Sequence, residues 1–172
     1  MDTILIISSL IITPIAVIWA VTNAVTILTG APYIASHQKA IDDILDLLPP
    51  GKDHRAVDLG SGDGRILIQI AERGIPVVGY EINLLLVLAS RYRIKQRGLQ
   101  KLAKVQWKNY WKIPLDQFDI VVIFGMKHLM DRFEKKLKAE LQTGAHVICS
   151  YFKLPNWSQD SQQGDIYHYI KN

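Results

Sequence analysis

The chain has 172 residues, 49% of them hydrophobic and 21% charged, and its formal net charge at pH 7 is +4. This length accommodates one globular domain with a short additional segment. The single cysteine, Cys149, excludes an internal disulfide and a metal site built from cysteines, and we expect no metal. We find no clustered pattern of basic and aromatic residues that indicates nucleic-acid binding, so the sequence predicts no nucleic-acid partner.

The first 30 residues differ from the rest of the chain. Residues 4–28 carry no charge, and all 20 lysines and arginines lie at position 39 or later. Such a run is long enough to cross the roughly 30 Å hydrocarbon core of a bilayer as a helix. A cleavable signal peptide is disfavoured because Asp2 is the only early charge. We therefore predict a transmembrane anchor in residues 1–30. The alternative is a long apolar helix that docks on the soluble domain or on another subunit.

The distribution of positive charge predicts the orientation of this anchor. No lysine or arginine precedes the apolar run, whereas all of them follow it. By the positive-inside rule, residues 31–172 then lie on the cytoplasmic side of the membrane. We expect a single-pass membrane protein with one cytoplasmic domain, whose mildly basic surface suits anionic lipid headgroups.

Helical and strand-like patterns alternate through the rest of the chain. A connector, residues 31–36, leads to apolar positions at Ile41, Ile44, Leu45 and Leu48, the spacing of an amphipathic helix. We predict the following elements in chain order: helix 37–48, strand 55–60, helix 65–73, strand 75–82, helix 83–98, strand 103–110, strand 118–125, helix 127–141, strand 144–152 and an edge strand in 165–172.

This alternation predicts an α/β fold, a doubly wound, mostly parallel Rossmann-like sheet with helices on both faces, preceded by one transmembrane helix. The third helix is expected to be capped by Asn83 and stopped by Gly98. Ligands of such sheets bind beyond the carboxyl ends of the strands, near the point where the strand order reverses. The first strand-to-helix turn is therefore the expected ligand site.

That turn has the sequence VDLGSGDGRI, residues 57–66, with Gly60, Gly62 and Gly64 spaced two apart. A P-loop requires Lys and then Ser or Thr after its last glycine, and the Arg-Ile found here excludes it. A dinucleotide fingerprint needs G-x-G-x-x-G, and its third glycine position is here an arginine. The spacing disfavours NAD, and an NAD-linked reductase is kept as an alternative.

The acidic residues of the turn favour a different cofactor. Asp58 and Asp63 would repel a pyrophosphate, whereas S-adenosylmethionine has no phosphate and carries a sulfonium and an ammonium group. We expect Asp58 to face the ammonium. The glycines let the chain approach the ligand closely. The turn residues expected to contact the cofactor are Gly60, Ser61, Gly62 and Gly64.

Two further candidates lie at the ends of later strands. Glu81, at the end of the second strand, could accept hydrogen bonds from both ribose hydroxyls. NAD-binding folds have an equivalent acid, so Glu81 alone does not separate the two cofactors. Asn109, at the end of the third strand, could hydrogen-bond the edge of the adenine, with Tyr110 or Trp111 packing on its face.

The motifs DLGSGDGR, GYEIN, NYW and FDIVVIFG together resemble class I S-adenosylmethionine-dependent methyltransferases. With the N-terminal apolar segment, GAPYIAS, GAHVI and YFKLPNW, the chain is similar to one group in particular. These are the small membrane-anchored lysine methyltransferases of mitochondria that modify the adenine nucleotide translocase and the ATP synthase c subunit, with their prokaryotic relatives. Asn109 stands where that family usually has Asp, and Ile82 where it tends to have Leu.

The resemblance implies a membrane-anchored S-adenosylmethionine-dependent N-methyltransferase that modifies a lysine of a protein, most readily a membrane protein. The acceptor would approach the end of the fourth strand near Phe124 and Gly125, beneath the connector. Tyr33 and His37 are candidates to shape the acceptor slot, and no catalytic base is identified. Two alternatives stay open: a methyltransferase acting on a lipid or small amphiphile, and a non-catalytic membrane-tethered module that binds the cofactor.

Overall fold

The computed structural model describes residues 8–10, 12–17, 19–20 and 37–172. From residue 38 onward, helices and strands alternate in the predicted order. The α-helices of this part are α1 (Gln38–Asp46), α2 (Arg65–Glu72), α3 (Leu84–Gln96) and α4 (Met130–Glu140). The strands are β1 (Ala56–Leu59), β2 (Val77–Glu81), β3 (Ala103–Trp107), β4 (Ile120–Phe124), β5 (His146–Ser150), β6 (Ser161–Gln163) and β7 (Ile166–Ile170).

The strands of the described part form a seven-stranded sheet in the order β3-β2-β1-β4-β5-β7-β6. Strands β1 to β5 pair in parallel, whereas β7 is antiparallel to both β5 and β6. The strand order reverses at β1, because β2 pairs on one side of it and β4 on the other. This confirms the predicted doubly wound, mostly parallel sheet, and the reversal point coincides with the glycine turn.

Helices cover both faces of the sheet, and each face has its own apolar core. Helices α1, α2 and α3 pack on one face through residues such as Ile44, Leu67 and Val87. Helix α4 packs on the other face, where Phe133 is fully buried. Cys149 lies in this second core, and burial raises the pKa of its thiol, in keeping with an inert core cysteine.

Both predicted boundaries of α3 are confirmed. Asn83 precedes the helix, and its Oδ1 accepts hydrogen bonds from the amides of Leu85 at 3.0 Å and Leu86 at 3.4 Å. An asparagine in this position satisfies amides that have no partner within the helix. Gly98 follows the helix with a φ of +67°, the left-handed conformation that favours glycine after a helix end.

The C-terminal part differs from the prediction. The strand predicted in 165–172 as an edge strand is β7, and it lies inside the sheet between β5 and β6. The outer position belongs to β6, which is polar and largely exposed, so no apolar pattern indicates it. The helix predicted at 127–141 begins with a 3-10 turn, Lys127–Leu129, and becomes α-helical at Met130.

The predicted membrane anchor lies mostly outside the described residues. The part that is described, residues 8–10, 12–17 and 19–20, is helical. Within the described ranges, no helix combines the length and apolar character that crossing a bilayer requires. The large apolar side chains described in this segment are exposed: Leu10, Ile12, Ile15, Val17 and Trp19.

A pair of histidines joins the C-terminal hairpin to β5. His146 Nδ1 lies 2.8 Å from His168 Nε2, and the two rings stack with 5.0 Å between their centroids. Burial lowers the pKa of both rings; the charges of His168 and His54 lower that of His146 further, while Asp160 acts in the opposite direction. The folded protein therefore favours the neutral form of both rings.

We expect the histidine pair to contribute a decrease in the free energy of unfolding as the pH falls below about 6.5, the ordinary histidine pKa. The folded pKa values lie below the unfolded ones, so the unfolded state binds protons more readily and acid favours it. The His168→Gln variant should flatten this dependence between about pH 7 and pH 5, measured by urea denaturation at each pH. The exposed His128 provides the control, His128→Gln. An equally steep dependence in His168→Gln would contradict the prediction.

Candidate functional site

The predicted site residues lie in a row along the carboxyl ends of the central strands. Because β1 lies between β2 and β4, Gly60 lies between Glu81 and Phe124, the last residues of those two strands. Strand register continues the row on one side from Glu81 to Trp107 and on the other from Phe124 to Ser150. The row therefore coincides with the edge at which doubly wound sheets bind ligands.

The glycine turn between β1 and α2 adopts a left-handed backbone. The φ angles of Gly60, Gly62 and Gly64 are +89°, +54° and +81°. The amides of Gly60 and Ser61 both donate to the carbonyl of Tyr80, at 2.9 and 3.2 Å, and this attaches the turn to β2. Glycine adopts such angles without the steric cost that a Cβ would bring, which explains the spacing seen in the sequence.

Asp58 precedes the turn and is only 1% exposed. Its Oδ2 is buried and has no hydrogen-bond partner among the described residues. Burial, with smaller contributions from the charges of Glu81 and Asp63, raises the pKa of Asp58 from 3.8 to about 7, although a hydrogen bond with the Leu67 backbone acts in the opposite direction. A buried carboxylate is costly unless a cation or donor satisfies it. Asp58 therefore fits a ligand that presents an ammonium group.

Asp63, the second carboxylate expected to repel a pyrophosphate, is bound within the protein. Its carboxylate lies 3.0 Å from Arg65 Nη2 and also forms an ion pair with Arg93. Arg93 additionally donates to the Asp63 carbonyl at 3.3 Å. The expectation needs a correction here, because two arginines balance the charge of Asp63. The carboxylate that would disfavour a pyrophosphate is Asp58.

Glu81 is buried, and backbone amides hold its carboxylate. Its Oε1 accepts from the amides of Ile82 and Asn83, both at 2.7 Å, and its Oε2 accepts from the amide of Gly62 at 3.0 Å. Each carboxylate oxygen accepts about two hydrogen bonds, so Oε1 is saturated and Oε2 keeps one position. The carboxylate thus accepts three hydrogen bonds from the protein, and its contact with both ribose hydroxyls stays a prediction.

Asn109 begins a short 3-10 turn, and its Oδ1 accepts from the Trp111 amide at 3.0 Å. The oxygen predicted to bond the adenine amino group is therefore shared with the backbone. Tyr110 lies against the glycine turn, since a Cβ on Gly60 would be 3.8 Å from its Cε1. The rings of Tyr110 and Trp111 pack against Phe133, with 5.5 and 4.6 Å between centroids. Their packing on an adenine stays a prediction.

The four candidates for the acceptor slot have different positions. Tyr33 lies outside the described residues, and His37 is exposed and immediately precedes α1. Phe124 is half-buried at the end of β4. Gly125 follows it and is tightly packed, because a Cβ there would be 2.8 Å from Met130 Sδ. Phe124 and Gly125 thus lie beside the glycine turn, at the edge predicted from the sequence.

Tyr151 is a candidate site residue that sequence reasoning missed. It follows β5 and has a φ of +67°, a left-handed conformation that is strained for a bulky side chain. Its exposed ring meets the ring of Phe124 edge-on, with 5.2 Å between centroids. Its amide donates to the carbonyl of Asp165 at 2.7 Å, which holds the strained backbone. Strain of this kind clusters at ligand sites, but a tyrosine after a strand carries no sequence signal for it.

Residues 58–161 match the family described as the ANTKMT methyltransferase domain. The chain belongs to this family. The matched segment begins at Asp58 and extends beyond Tyr151, so it contains the glycine turn and the whole row of strand ends.

This ANTKMT-family chain is similar to proteins named as lysine methyltransferases. It is 40% identical over 137 residues to the ATP synthase c-subunit lysine N-methyltransferase of Rattus norvegicus, which covers 78% of this chain and 62% of the relative. It is 34% identical over 135 residues to the adenine nucleotide translocase lysine N-methyltransferase of Mus musculus, covering 78% of this chain and 58% of the relative. The chain thus spans about three fifths of the length of these curated relatives.

A solved structure shares the fold of this family member. The RNA methyltransferase from Salinibacter ruber in complex with S-adenosyl-L-homocysteine is similar with a TM-score of 0.74 and 25% sequence identity. The similarity covers 80% of this chain and 93% of that one. It confirms a Rossmann-like methyltransferase fold for the sheet and its helices.

The Gly64→Ala substitution is expected to lower the free energy of unfolding by about 3 kcal/mol. A Cβ on Gly64 would lie 2.1 Å from Ser90 Oγ and 3.1 Å from Ser90 Cβ, in addition to the strain of its φ of +81°. The matched control is Gly98→Ala, where φ is +67° and nothing described lies within 4 Å, so only about 1 kcal/mol of strain is expected. Urea denaturation measures both. Equal losses in the two variants would contradict the clash, and adding Ser90→Ala should recover part of the difference.

Proposed function

We propose that this domain is an S-adenosylmethionine-dependent methyltransferase that modifies the ε-amino group of a lysine in a protein. The observation that carries the proposal is the buried Oδ2 of Asp58, which has no hydrogen-bond partner among the described residues of this methyltransferase-family domain. The names of the rat and mouse relatives support a lysine acceptor. The S-adenosylhomocysteine complex of the Salinibacter enzyme supports the cofactor.

The residues of the sheet edge would hold this cofactor through separate parts of its structure. Asp58 would face the ammonium, and Glu81 Oε2 would accept from a ribose hydroxyl. The glycine turn, with Ser61, would lie against the ligand, and Asn109 would meet the adenine edge. When bound, S-adenosylmethionine supplies an electrophilic methyl group attached to a positively charged sulfur.

The chemistry places simple demands on the chain. A neutral lysine nitrogen would accept this methyl group, with the electron pair of the broken carbon–sulfur bond staying on sulfur. The lysine ammonium would lose a proton to water before the transfer, and the methylated ammonium would keep the positive charge that left the sulfur. Neutralising an ordinary lysine at pH 7 costs about 4–5 kcal/mol, and an apolar surrounding lowers this cost. Phe124 and Tyr151 would supply that surrounding and exclude water, so alignment is the main task of the site.

We extend the proposal to the location and the substrate. The uncharged residues 4–28 would anchor the protein in a membrane, with the catalytic domain on the cytoplasmic side. The exposed apolar side chains of Leu10, Ile15 and Trp19 support this view. The relatives are named for two membrane proteins, which supports a membrane-protein acceptor. A tethered domain would meet such acceptors at high effective concentration.

The test is to incubate native membranes with the full chain and methyl-labelled S-adenosylmethionine, and to separate protein from organic extract. We expect label in the protein fraction, on methylated lysine after hydrolysis, and much less label with Asp58→Ala. Label confined to the extract would overturn the lysine acceptor and favour a lipid or small amphiphile. Cofactor binding without any label would favour a non-catalytic module. Thermal stabilisation by NADH, and none by S-adenosylhomocysteine, would favour an NAD-linked reductase.

Tyr151→Asn is expected to lower kcat/KM for the protein acceptor by roughly tenfold at unchanged cofactor affinity. Asparagine tolerates a φ of +67°, so the backbone is retained while the ring beside Phe124 is lost. Tyr151→Phe keeps the ring and should retain activity. Initial rates and calorimetric cofactor titration give the two quantities. Wild-type kcat/KM in Tyr151→Asn would exclude Tyr151 from the acceptor slot.

A further inference from the structure

Helix α3 carries an apolar stripe on the side that faces solvent. Leu85, Leu88 and Tyr92 follow one another at helical spacing and are 37%, 51% and 64% exposed. The buried side of the same helix is formed by other residues, among them Val87 and Ile94. The helix is thus apolar on two opposite sides, and the apolar residues of the outer side are exposed.

Trp107 extends this apolar surface at the carboxyl edge of the sheet. Its side chain is 59% exposed at the end of β3, although its indole Nε1 donates to the carbonyl of Ile82 at 2.8 Å. That hydrogen bond holds the ring beside the start of α3 and next to Glu81 in the row of strand ends. The ring thereby enlarges the exposed apolar surface of α3, and contiguous surfaces of this kind mark interaction sites.

The charged residues of this segment are all basic. Residues 84–108 contain no Asp or Glu and seven basic residues: Arg91, Arg93, Lys95, Arg97, Lys101, Lys104 and Lys108. The three arginines make internal contacts, with the Val105 carbonyl, Asp63 and Glu72. The four lysines form no hydrogen bond or ion pair with the described residues, so their charges stay available.

A shallow groove lies between α3 and the edge strand β3. Its volume is about 310 Å³. Its floor is apolar, with Ile94 and Val105, and three basic side chains line it: Arg91, Lys95 and Lys104. An apolar floor beneath positive charge suits a molecule that is anionic at one end and apolar at the other.

We propose that the α3–β3 surface, formed by Leu85, Leu88, Tyr92 and Trp107 with the surrounding lysines, lies on an anionic lipid bilayer. Exposed aliphatic residues, interfacial Trp and Tyr and a basic surround are the features by which helices lie in a membrane interface. A nucleic acid would use the lysines but would leave Leu85 and Leu88 without a partner. The contact goes beyond the N-terminal anchor and does not depend on the acceptor. It turns the edge of the sheet that carries Glu81 toward the membrane.

The test uses the single, buried Cys149, which leaves the chain free for site-specific labelling. A bimane label on Leu88→Cys is compared with one on Lys135→Cys, which lies on α4 across the sheet. The full-length chain is reconstituted in nanodiscs of phosphatidylcholine alone or with phosphatidylglycerol, with and without brominated acyl chains. We expect bromine quenching at position 88 in the anionic discs and none at position 135.

The lysines supply the second control. Replacing Lys95, Lys104 and Lys108 by glutamine should lower the quenching at position 88 to its value in the zwitterionic discs, while the cofactor Kd stays unchanged. Absence of bromine quenching at position 88 in anionic discs would overturn the proposal. So would a label shielded from iodide but untouched by bromolipid, which would mean that protein covers the stripe. If the fluorescence of the label at position 88 changed on addition of RNA and not in the anionic discs, the proposal would also be overturned, and the surface would bind nucleic acid instead.

Discussion

Replacing Asp58 by asparagine is expected to stabilise the cofactor-free protein at pH 8 by about 2–4 kcal/mol. The pKa of Asp58 rises from 3.8 in the unfolded chain to about 7 in the folded protein, mainly because the carboxyl is buried. The folded state therefore holds this proton more tightly, and the contribution of Asp58 to the stability decreases as the pH rises from about 4 through 7. Asparagine is neutral throughout, so the gain should be absent below about pH 4 and complete above pH 7.

The same variant should bind S-adenosylmethionine about 10- to 100-fold more weakly, since a hydrogen bond between charged groups contributes about 1.5–3 kcal/mol. In the wild type, affinity should increase as the pH rises toward 7, because Asp58 becomes ionised. In Asp58→Asn, this pH dependence should disappear. Isothermal titration at several pH values measures both effects.

The control is Asp116→Asn, which removes a carboxylate from an exposed position and should change neither stability nor affinity appreciably. A loss of stability in Asp58→Asn at pH 8 would mean that the carboxylate has a partner in the fold, and the electrostatic account of the site would be wrong. Unchanged cofactor affinity would remove Asp58 from the ligand site.

Most of the fold could be predicted because each element carries its own local pattern. The apolar spacing of α1, the unbroken apolar run of β4 and the capping residues Asn83 and Gly98 are all properties of neighbouring residues. The position of β7 between β5 and β6 is different in kind, because it depends on pairing across the sheet. A polar strand such as β6 gains its place from that pairing and shows no pattern of its own.

The candidate site could be predicted only where it depends on backbone conformation and on the positions of the strand ends. The glycines of the turn are needed because their φ angles are positive, and the ends of parallel strands lie at one edge of the sheet. Asp58 and Glu81 could therefore be predicted as site residues. The ion pair of Asp63 with Arg93 joins residues 30 positions apart, and no pattern of neighbouring residues predicts it. The strained backbone of Tyr151 and the second apolar side of α3 are likewise tertiary facts. When a helix has two apolar sides, the sequence alone does not tell which side packs on the sheet and which faces solvent.

Glu81→Gln is expected to do the opposite of Asp58→Asn and to lower the free energy of unfolding by about 2–3 kcal/mol. The Glu81 carboxylate accepts hydrogen bonds from three backbone amides, those of Gly62, Ile82 and Asn83. A glutamine of the same shape has one acceptor oxygen and an NH₂ group, which would face at least one of these amides donor to donor. Cofactor affinity should fall as well, because Gly62 belongs to the turn that receives the ligand.

The matched control is Glu72→Gln, which removes an exposed carboxylate 2.7 Å from Arg97 and should cost no more than about 0.5 kcal/mol. Both Asp58→Asn and Glu81→Gln are expected to weaken cofactor binding, so binding measurements alone cannot separate the roles of the two carboxylates. Denaturation at pH 8 separates these roles. The Asp58 carboxylate destabilises the fold when no cation is bound to it, whereas the Glu81 carboxylate stabilises the glycine turn through its hydrogen bonds. A Glu81→Gln protein as stable as the wild type would show that the three amide contacts contribute little, and would leave Glu81 a role toward the ligand alone.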